Sequence, residues 1–183
     1  MDFHIKIRSD LVELRPLETG DFEALNKITS DSNMWTYFTS DLSDEKVLKR
    51  WISDAVVARE KLTEMPFVIV DLMTGKIAGS TRFGNISEIH GRIEIGWTFL
   101  GKEYQGKGIN NHVKQLLLKF AFNQDFVRVE AKTDVLNSSA RNSLIKSGFK
   151  EEGVLRSHTV MTNGRRRDTI FYSVLKDEWE PQI

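Results

Sequence analysis

The residues of this chain that are best placed to do chemistry lie in one short stretch, EYQGKGIN (residues 103–110), directly before an apolar run. A helix that begins here would leave its first backbone N–H groups without partners, pointing out of its positively polarised end. Gly106 and Gly108 have no Cβ, so a ligand can approach the backbone closely, and Lys107 adds a positive charge. The stretch therefore predicts a binding site for an anion such as a phosphate.

Two well-known phosphate-binding loops share part of this pattern. Residues 101–108 have the spacing of a P-loop, but Gly108 stands where a P-loop carries the Ser or Thr that binds Mg²⁺. A dinucleotide-binding loop needs a third glycine where this chain has Asn111, and no acidic partner for a ribose is obvious. Both interpretations are weak. A third interpretation of the loop rests on the strands and helices around it.

Hydrophobic periodicity predicts the elements that would position this loop. Strands are predicted within residues 11–17, 66–83 (two strands around a turn), 90–100 and 127–133. Helices are predicted within residues 19–31, 44–60, 109–121 and 137–149. Asn163–Gly164 predicts a final hairpin. This order favours an α+β (mixed α/β) fold with a mostly antiparallel sheet and one βαβ crossover near residues 96–133.

Two of the helices have clear apolar faces. Ser43 is the expected N-cap of the second helix. Its apolar face would contain Val47, Leu48, Trp51, Ile52, Ala55 and Val56. The face of the third helix would contain Ile109, Val113, Leu116, Leu117, Phe120 and Ala121.

The composition is that of an ordinary globular chain, and 183 residues fit one domain spanning residues 1–183. The 26 basic and 26 acidic residues balance, which argues against nucleic acid as a partner because duplex binding needs a basic face. The absence of cysteine excludes disulfides, thiolate zinc sites and a cysteine nucleophile, and the four histidines show no metal spacing. We see no signal peptide or membrane span, so we expect a cytoplasmic protein without membrane partners.

The loop and its surroundings resemble the GCN5-related N-acetyltransferase (GNAT) superfamily. The family signature Q/R-x-x-G-x-G/A follows the fourth strand. Here it is matched by Gln105, Gly106, Lys107, Gly108 and Ile109, with Asn110 where Gly or Ala is usual. The strand IEIGWTFL before the loop and the segment VEAKTDVLNSSARNSLIKSGFKEEGVLR after it also resemble the family. The late segment EGVLR…NGRRRDTIFYSVLKDEW is most similar to the RimJ/RimL-type branch, and the resemblance covers residues 11–179.

This resemblance implies a GNAT fold, with a central twisted, mostly antiparallel sheet of about seven strands flanked by about four helices. It implies acetyl-CoA as co-substrate and no metal. The expected acetyl-CoA contacts are residues 105–110, the backbone N–H groups near Trp97, Thr98 and Phe99, and the side chain of Asn137. The implied reaction transfers an acetyl group to a primary amine, either the α-amine of a protein N-terminus or a small-molecule amine.

The resemblance also implies catalytic residues. Glu94 is the candidate base, with a structural ion pair to Arg92 or Arg82 as the less favoured alternative. Relatives often supply the general acid as a tyrosine or a serine of the last helix, at the positions that are Leu144 and Ala140 here. Ser139 and Ser143 are the neighbouring serines, and Ser139 is the candidate that we retain. A one-residue shift turns a helical side chain by about 100°, so neither serine replaces Leu144 or Ala140 directly.

The acceptor side is less defined by the sequence. Trp35 and Tyr37 are candidates for the wall of the amine pocket, with core packing as the alternative. The basic loop 163–168 is expected to be a solvated hairpin tip, with attraction of an acidic substrate or of a phosphate of CoA as the alternative. Relatives often pair, so a homodimer is possible. A protein that binds acyl-CoA without turnover is the competing functional hypothesis.

Overall fold

One eight-stranded sheet organises the computed structural model, which describes residues 1–180. The strands are β1 (Ile7–Arg8), β2 (Val12–Pro16), β3 (Met65–Asp71), β4 (Lys76–Ser87), β5 (Arg92–Leu100), β6 (Arg128–Asp134), β7 (Lys150–Val160) and β8 (Arg166–Leu175). Their order across the sheet is β1-β2-β3-β4-β5-β6-β8-β7. β5 and β6 pair in parallel and all other neighbours are antiparallel.

Within residues 1–180, four α-helices accompany the sheet: α1 (Phe22–Thr29), α2 (Glu45–Glu60), α3 (Ile109–Asn123) and α4 (Ser138–Lys146). The predicted mixed α/β GNAT fold is confirmed, with the very short β1 as a strand that the periodicity did not reveal. α3 is the crossover that joins the parallel strands β5 and β6.

The helices divide the apolar residues into two cores. The larger core lies between the sheet and α3, and all six residues predicted for the apolar face of α3 are buried in it. The smaller core lies between the sheet and the α1–α2 pair, around Trp35, Leu48, Val68 and Phe99. β3 and β5 each contribute side chains to both cores, so both faces of these strands are covered.

The start of α2 differs from the prediction by one residue. Asp44, not Ser43, is the N-cap, and its carboxylate accepts hydrogen bonds from the N–H groups of Lys46 and Val47. Ser43 instead donates its hydroxyl to Asp41. Val47 is 41% exposed and does not belong to the apolar face of the helix.

Candidate active site

The glycine loop between β5 and α3 has the geometry of an anion site. Gly106 and Gly108 adopt positive φ angles of 73° and 81°, and Gly108 is the N-cap of α3. The backbone N–H groups of residues 106–110 donate no hydrogen bond within the part of the chain that the structure describes. Gln105 braces the loop, because its Nε2 donates to the carbonyl of Leu100 at 2.9 Å. A Cβ added at either glycine would meet no protein atom within 4 Å, so the loop is open to a ligand.

A β-bulge interrupts β5 immediately before this loop. Trp97 and Thr98 of β5 stand opposite the single residue Thr81 of β4, and the hydroxyls of Thr98 and Thr81 lie 2.8 Å apart. Trp97 has a φ of 53°, a conformation that bulky residues rarely adopt. The extra residue moves the side chains that follow to the other face of the sheet. Phe99 therefore packs in the smaller core, whereas Ile95 packs in the larger one.

β5 and β6 separate just before the bulge. Their ladder has three residue pairs and ends where Glu94 faces Glu130. Beyond this pair β5 continues along β4 and β6 continues along β8, which leaves an opening between the two strands. The glycine loop follows β5, and α4 follows β6, so both lie at the wide end of the opening. Ligands of open sheets commonly bind at such carboxyl ends of parallel strands.

Glu94 lies at the narrow end of the opening and is 4% exposed. Its Oε2 accepts hydrogen bonds from Asn85 Nδ2 at 2.7 Å and from Lys132 Nζ at 2.9 Å. Its Oε1 has no hydrogen-bond donor among the described residues. A Cβ at residue 96 would lie 3.3 Å from Oε1, so Gly96 gives the carboxylate its space.

The ion pair of Glu94 is not with either of the arginines expected from the sequence. Arg92 pairs with Glu130, and Arg82 pairs with Glu64. The cation beside Glu94 comes from the neighbouring strand β6 instead. Glu94 is thus held in place by a partner across the opening, and one of its oxygens remains without a partner.

The first turn of α4 provides a second polar edge of the opening. Asn137 is the N-cap of α4, and its Oδ1 accepts a hydrogen bond from the N–H of Ala140 at 3.0 Å. Its Nδ2 donates to none of the described residues and so can serve a ligand. Ser139 is exposed on the first turn, whereas Leu144 is buried in the larger core. Both residues belong to the start of α4, and the ligand contact of Asn137 and the catalytic role of Ser139 stay predictions.

A buried lysine connects the glycine loop to α4. Lys114 is 5% exposed, and its Nζ donates to Asn110 Oδ1 at 2.7 Å and to Ser143 Oγ at 3.0 Å. Asn110 Nδ2 also donates to Ser143 Oγ at 3.1 Å. Burial lowers the pKa of Lys114 to about 7. The side chain that replaces the usual Gly or Ala of the loop is therefore fixed between two helices.

Trp35 and Tyr37, the residues predicted to line the amine pocket, lie in different environments. Trp35 is 3% exposed, donates its Nε1 to the carbonyl of Thr29 at 2.9 Å and packs edge-on against Phe38 and Phe99. This places it in the core and gives no support to a role in a pocket wall. Tyr37 is half-buried, and its pocket role stays a prediction.

Two of the three arginines at the basic hairpin tip are less solvated than expected. Arg165 pairs with the fully buried Asp134, and Arg166 donates to the backbone carbonyl of Ser157. Arg167 is 7% exposed, and burial lowers its pKa. Arg165 and Arg167 therefore serve internal contacts, whereas Asn163, Gly164 and Arg166 are exposed as expected for a hairpin tip, and attraction of an anion stays a prediction.

The comparisons with known proteins agree with this geometry. The model of the acetyltransferase (GNAT) domain matches residues 12–150. The chain belongs to the GNAT acetyltransferase family. It is 27% identical to YdaF of Bacillus subtilis (strain 168), whose name proposes a ribosomal N-acetyltransferase, over 92% of this chain and 93% of that protein. This relative supports the RimJ/RimL-type branch of the superfamily.

Two further relatives show how widely the likeness extends. The spermidine N(1)-acetyltransferase of Escherichia coli (strain K12) is 25% identical over 92% of this chain and 88% of its own. A solved GNAT-family structure from Chromobacterium violaceum ATCC 12472 superposes with a TM-score of 0.87 at 26% identity, covering 96% of this chain and 88% of the other. As a GNAT N-acetyltransferase, the protein is an acyltransferase, and its family uses acetyl-CoA as co-substrate.

Two general features complete the description of the GNAT chain. No helix within residues 1–180 is long and apolar enough to cross a membrane. Over the same residues, no group of three or more acidic or histidine side chains is arranged to hold a metal ion.

Sequence reasoning missed Lys132 and Lys114, the two cations that fix the GNAT site. Alternation along β6 was a usable signal for Lys132, because it puts Lys132 on the same face as Glu130, beside the strand that carries Glu94. A lysine inside the apolar run of α3 was a signal for Lys114.

Proposed function

We propose that this protein transfers the acetyl group of acetyl-CoA directly to a primary amine, which is the α-amine of a protein N-terminus or a small-molecule amine. The observation that carries the proposal is the run of unpaired backbone N–H groups at residues 106–110, next to the opening between β5 and β6. The names of the relatives, one ribosomal and one acting on spermidine, support both kinds of acceptor.

The residues present fit the co-substrate. Residues 106–110 would hold its diphosphate, because preorganised N–H groups at a helix N-terminus bind such anions. Lys107 would add charge, and Asn137 Nδ2 would donate to the pantetheine. Main-chain N–H groups near the bulge at Trp97 would hold the acetyl oxygen in the manner of an oxyanion hole.

The chain's own groups can handle the protons of the transfer. Acetyl-CoA, when bound, supplies a thioester as the acyl donor. A primary amine has a pKa of about 8 to 10 and must lose a proton before it can attack. Glu94 Oε1 would accept that proton, directly or through water, while the new C–N bond forms and the C–S bond breaks. The leaving thiolate would take its proton from Ser139, which is exposed on the first turn of α4, or from water.

The test combines binding and turnover. Calorimetry is expected to show micromolar binding of acetyl-CoA, and a thiol assay should show CoA release with at least one member of a panel of peptides, polyamines and small amines. Absence of acetyl-CoA binding would refute the proposal. Intact binding without turnover of any amine would favour the alternative, a module that binds acyl-CoA without catalysis.

A further inference from the structure

A buried arginine next to Glu94 has one edge of its guanidinium without partners. The side chain of Arg82 is 7% exposed, and its Nη1 donates to Glu64. Its Nε and Nη2 atoms are buried and have no acceptor among residues 1–180. The guanidinium carbon lies 4.7 Å from the ring centre of Trp51 and 5.2 Å from that of Trp97.

The unpaired edge is one of the two guanidinium edges that can bind a carboxylate through two parallel hydrogen bonds. Nε and Nη2 point in parallel from one side of the planar guanidinium, and together they match the two oxygens of a carboxylate. A buried N–H group that lacks an acceptor costs free energy, and burial lowers the pKa of Arg82 although Glu64 opposes this effect. Such orphaned groups are rare in folded proteins, so this pair calls for a partner that binds from outside.

Arg82 lies on the same sheet face as Glu94. In the register of β4 and β5, Arg82 faces Gly96 and Gly84 faces Glu94, which makes Arg82 and Glu94 diagonal neighbours. Residues in that relation are about 7–8 Å apart. The partners of both side chains, Glu64 and Asn85, line an open pocket of about 720 Å³, whereas Arg82 and Glu94 lie behind these partners and do not line it themselves.

The indole of Trp97 covers this part of the sheet. A Cβ added at Gly84 would lie 2.7 Å from the Trp97 ring, so the ring lies directly over that glycine. Trp51 and Trp97 are both partly exposed, so a single layer of side chains separates the Arg82 guanidinium from solvent. The unpaired edge is buried in this structure, so a ligand would reach it by displacing a neighbouring side chain.

The charges of the two positions are already balanced. Glu94 is compensated by Lys132, and Arg82 is compensated by Glu64. A polycation would find no excess negative charge here. A zwitterion would instead place its ammonium group at Glu94 Oε1 and its carboxylate at the unpaired edge of Arg82, and the site would stay neutral.

We propose that Nε and Nη2 of Arg82 bind a carboxylate of the acceptor, so that the acceptor is a small amino carboxylate whose amine and carboxylate are a few bonds apart. This inference rests on the proposed function for the role of the amine. It goes beyond that function because it selects one chemical class of acceptor.

Matched acceptor pairs test the inference with the wild-type protein. Glycine, β-alanine, 4-aminobutyrate and 6-aminohexanoate are each compared with the n-alkylamine that has a methyl group in place of the carboxylate. We expect kcat/KM for at least one amino acid to exceed that for its amine by about 10- to 100-fold, the worth of a charged, doubly hydrogen-bonded contact. Equal kcat/KM values within every pair would overturn the inference.

Variants assign the preference to Arg82. In Arg82→Gln the ratio should fall to about one, and Arg82→Lys should retain only part of it because lysine lacks the fork. Arg50→Gln, an arginine with an 85% exposed side chain next to Trp51, should keep the full ratio. The double variant Arg82→Gln/Glu64→Gln avoids an unpaired Glu64 and serves if the single variant does not fold. A preference that persists in a folded variant without Arg82 would refute its role.

A binding measurement separates this inference from the proposed function. Calorimetry or NMR titration compares N-acetyl-β-alanine with N-propylacetamide and requires no turnover. We expect the acid to bind about tenfold or more tightly, and this difference should disappear in Arg82→Gln. Turnover of simple amines without any dependence on Arg82 would leave the transferase proposal intact and remove this one. Arg82-dependent binding without turnover of any amine would support the carboxylate site at Arg82 and remove the transferase proposal.

Discussion

Lys132 Nζ lies 2.9 Å from Oε2 of Glu94, and this contact crosses from β6 to β5 just beyond the last residue pair of their ladder. The ion pair therefore closes the narrow end of the opening. It also holds the Glu94 side chain so that Oε1 is the oxygen left for another group. Lys132 has a side chain that is 30% exposed, so it can turn to water if Glu94 changes.

Substitution of Glu94 by Gln should remove the proposed base and preserve the fold. The amide is isosteric and can still accept from Asn85 and Lys132, so stability should change by about 1 kcal/mol or less. We expect kcat to fall by about 10²- to 10⁴-fold, with the loss of the acidic limb of the pH–rate profile. Steady-state kinetics between pH 5 and 9 would check this. An unchanged profile would remove Glu94 from the mechanism.

Substitution of Lys114 by Met should stabilise the protein at neutral and acidic pH. The pKa of Lys114 is about 7 in the folded protein, below the value of about 10.4 in the unfolded chain. Between these values the unfolded chain binds a proton that the folded protein lacks, so the free energy of unfolding rises with pH across this range. The cost of burying the ammonium is fully present below pH 7.

Urea unfolding between pH 6 and 10 would measure this effect. We expect Lys114→Met to exceed the wild type by a few kcal/mol at pH 6, with the difference disappearing towards pH 10. Lys119→Met, which alters an exposed lysine of the same helix, is the matched control and should show no such pH dependence. A difference independent of pH would show that the ammonium is not destabilised by burial.

Substitution of Gly108 by Ala should weaken the binding of acetyl-CoA. The φ of 81° costs a residue with a Cβ about 1–2 kcal/mol, and the new methyl group would project into the open space over the loop. We expect the Kd from calorimetry to rise by about tenfold or more. Gly164→Ala carries a similar strain, with a φ of 78° in the last hairpin, and should leave the Kd unchanged. Equal effects of both substitutions would mean that general destabilisation is the cause.

Two substitutions of Asn137 should separate its structural and ligand-binding roles. Asn137→Ala removes the N-cap of α4 and should cost about 1 kcal/mol in the free energy of unfolding. Asn137→Asp keeps the capping oxygen but replaces the donor Nδ2 with an acceptor, so stability should be retained while acetyl-CoA affinity falls severalfold. Thermal unfolding and calorimetry on the same samples would show both effects. Unchanged affinity in Asn137→Asp would confine this residue to capping.

Much of the fold could be predicted because it depends on local patterns. The face of α3 repeats every three or four residues, and the last hairpin has an Asn-Gly turn with Gly164 in the left-handed region. β1 escaped prediction because two residues are too few for a period. The cap of α2 was misplaced by one position because Ser43 and Asp44 are both good capping residues.

The candidate site could be predicted only in its local part. The glycine loop is contiguous in sequence, so its free N–H groups followed from the residue types. The partner of Glu94 is 38 residues away on a strand whose register with β5 no periodicity specifies. Gly96 precedes the bulge at Trp97 but does not reveal which residue is the extra one, and simple alternation would have put Phe99 on the same face as Ile95.

The short ladder between β5 and β6 has a mechanical consequence. Strands β1 to β5 form one half of the sheet, and strands β6, β8 and β7 form the other half. The halves are joined at a seam, the ladder of three residue pairs between β5 and β6. Helix α3 packs on β2, β5 and β6 and therefore bridges this seam. A molecule bound in the opening beside this seam would add contacts between the two halves of the sheet. Binding of that molecule would then slow amide hydrogen exchange along β5 and β6, so the exchange rate would report whether the opening is occupied.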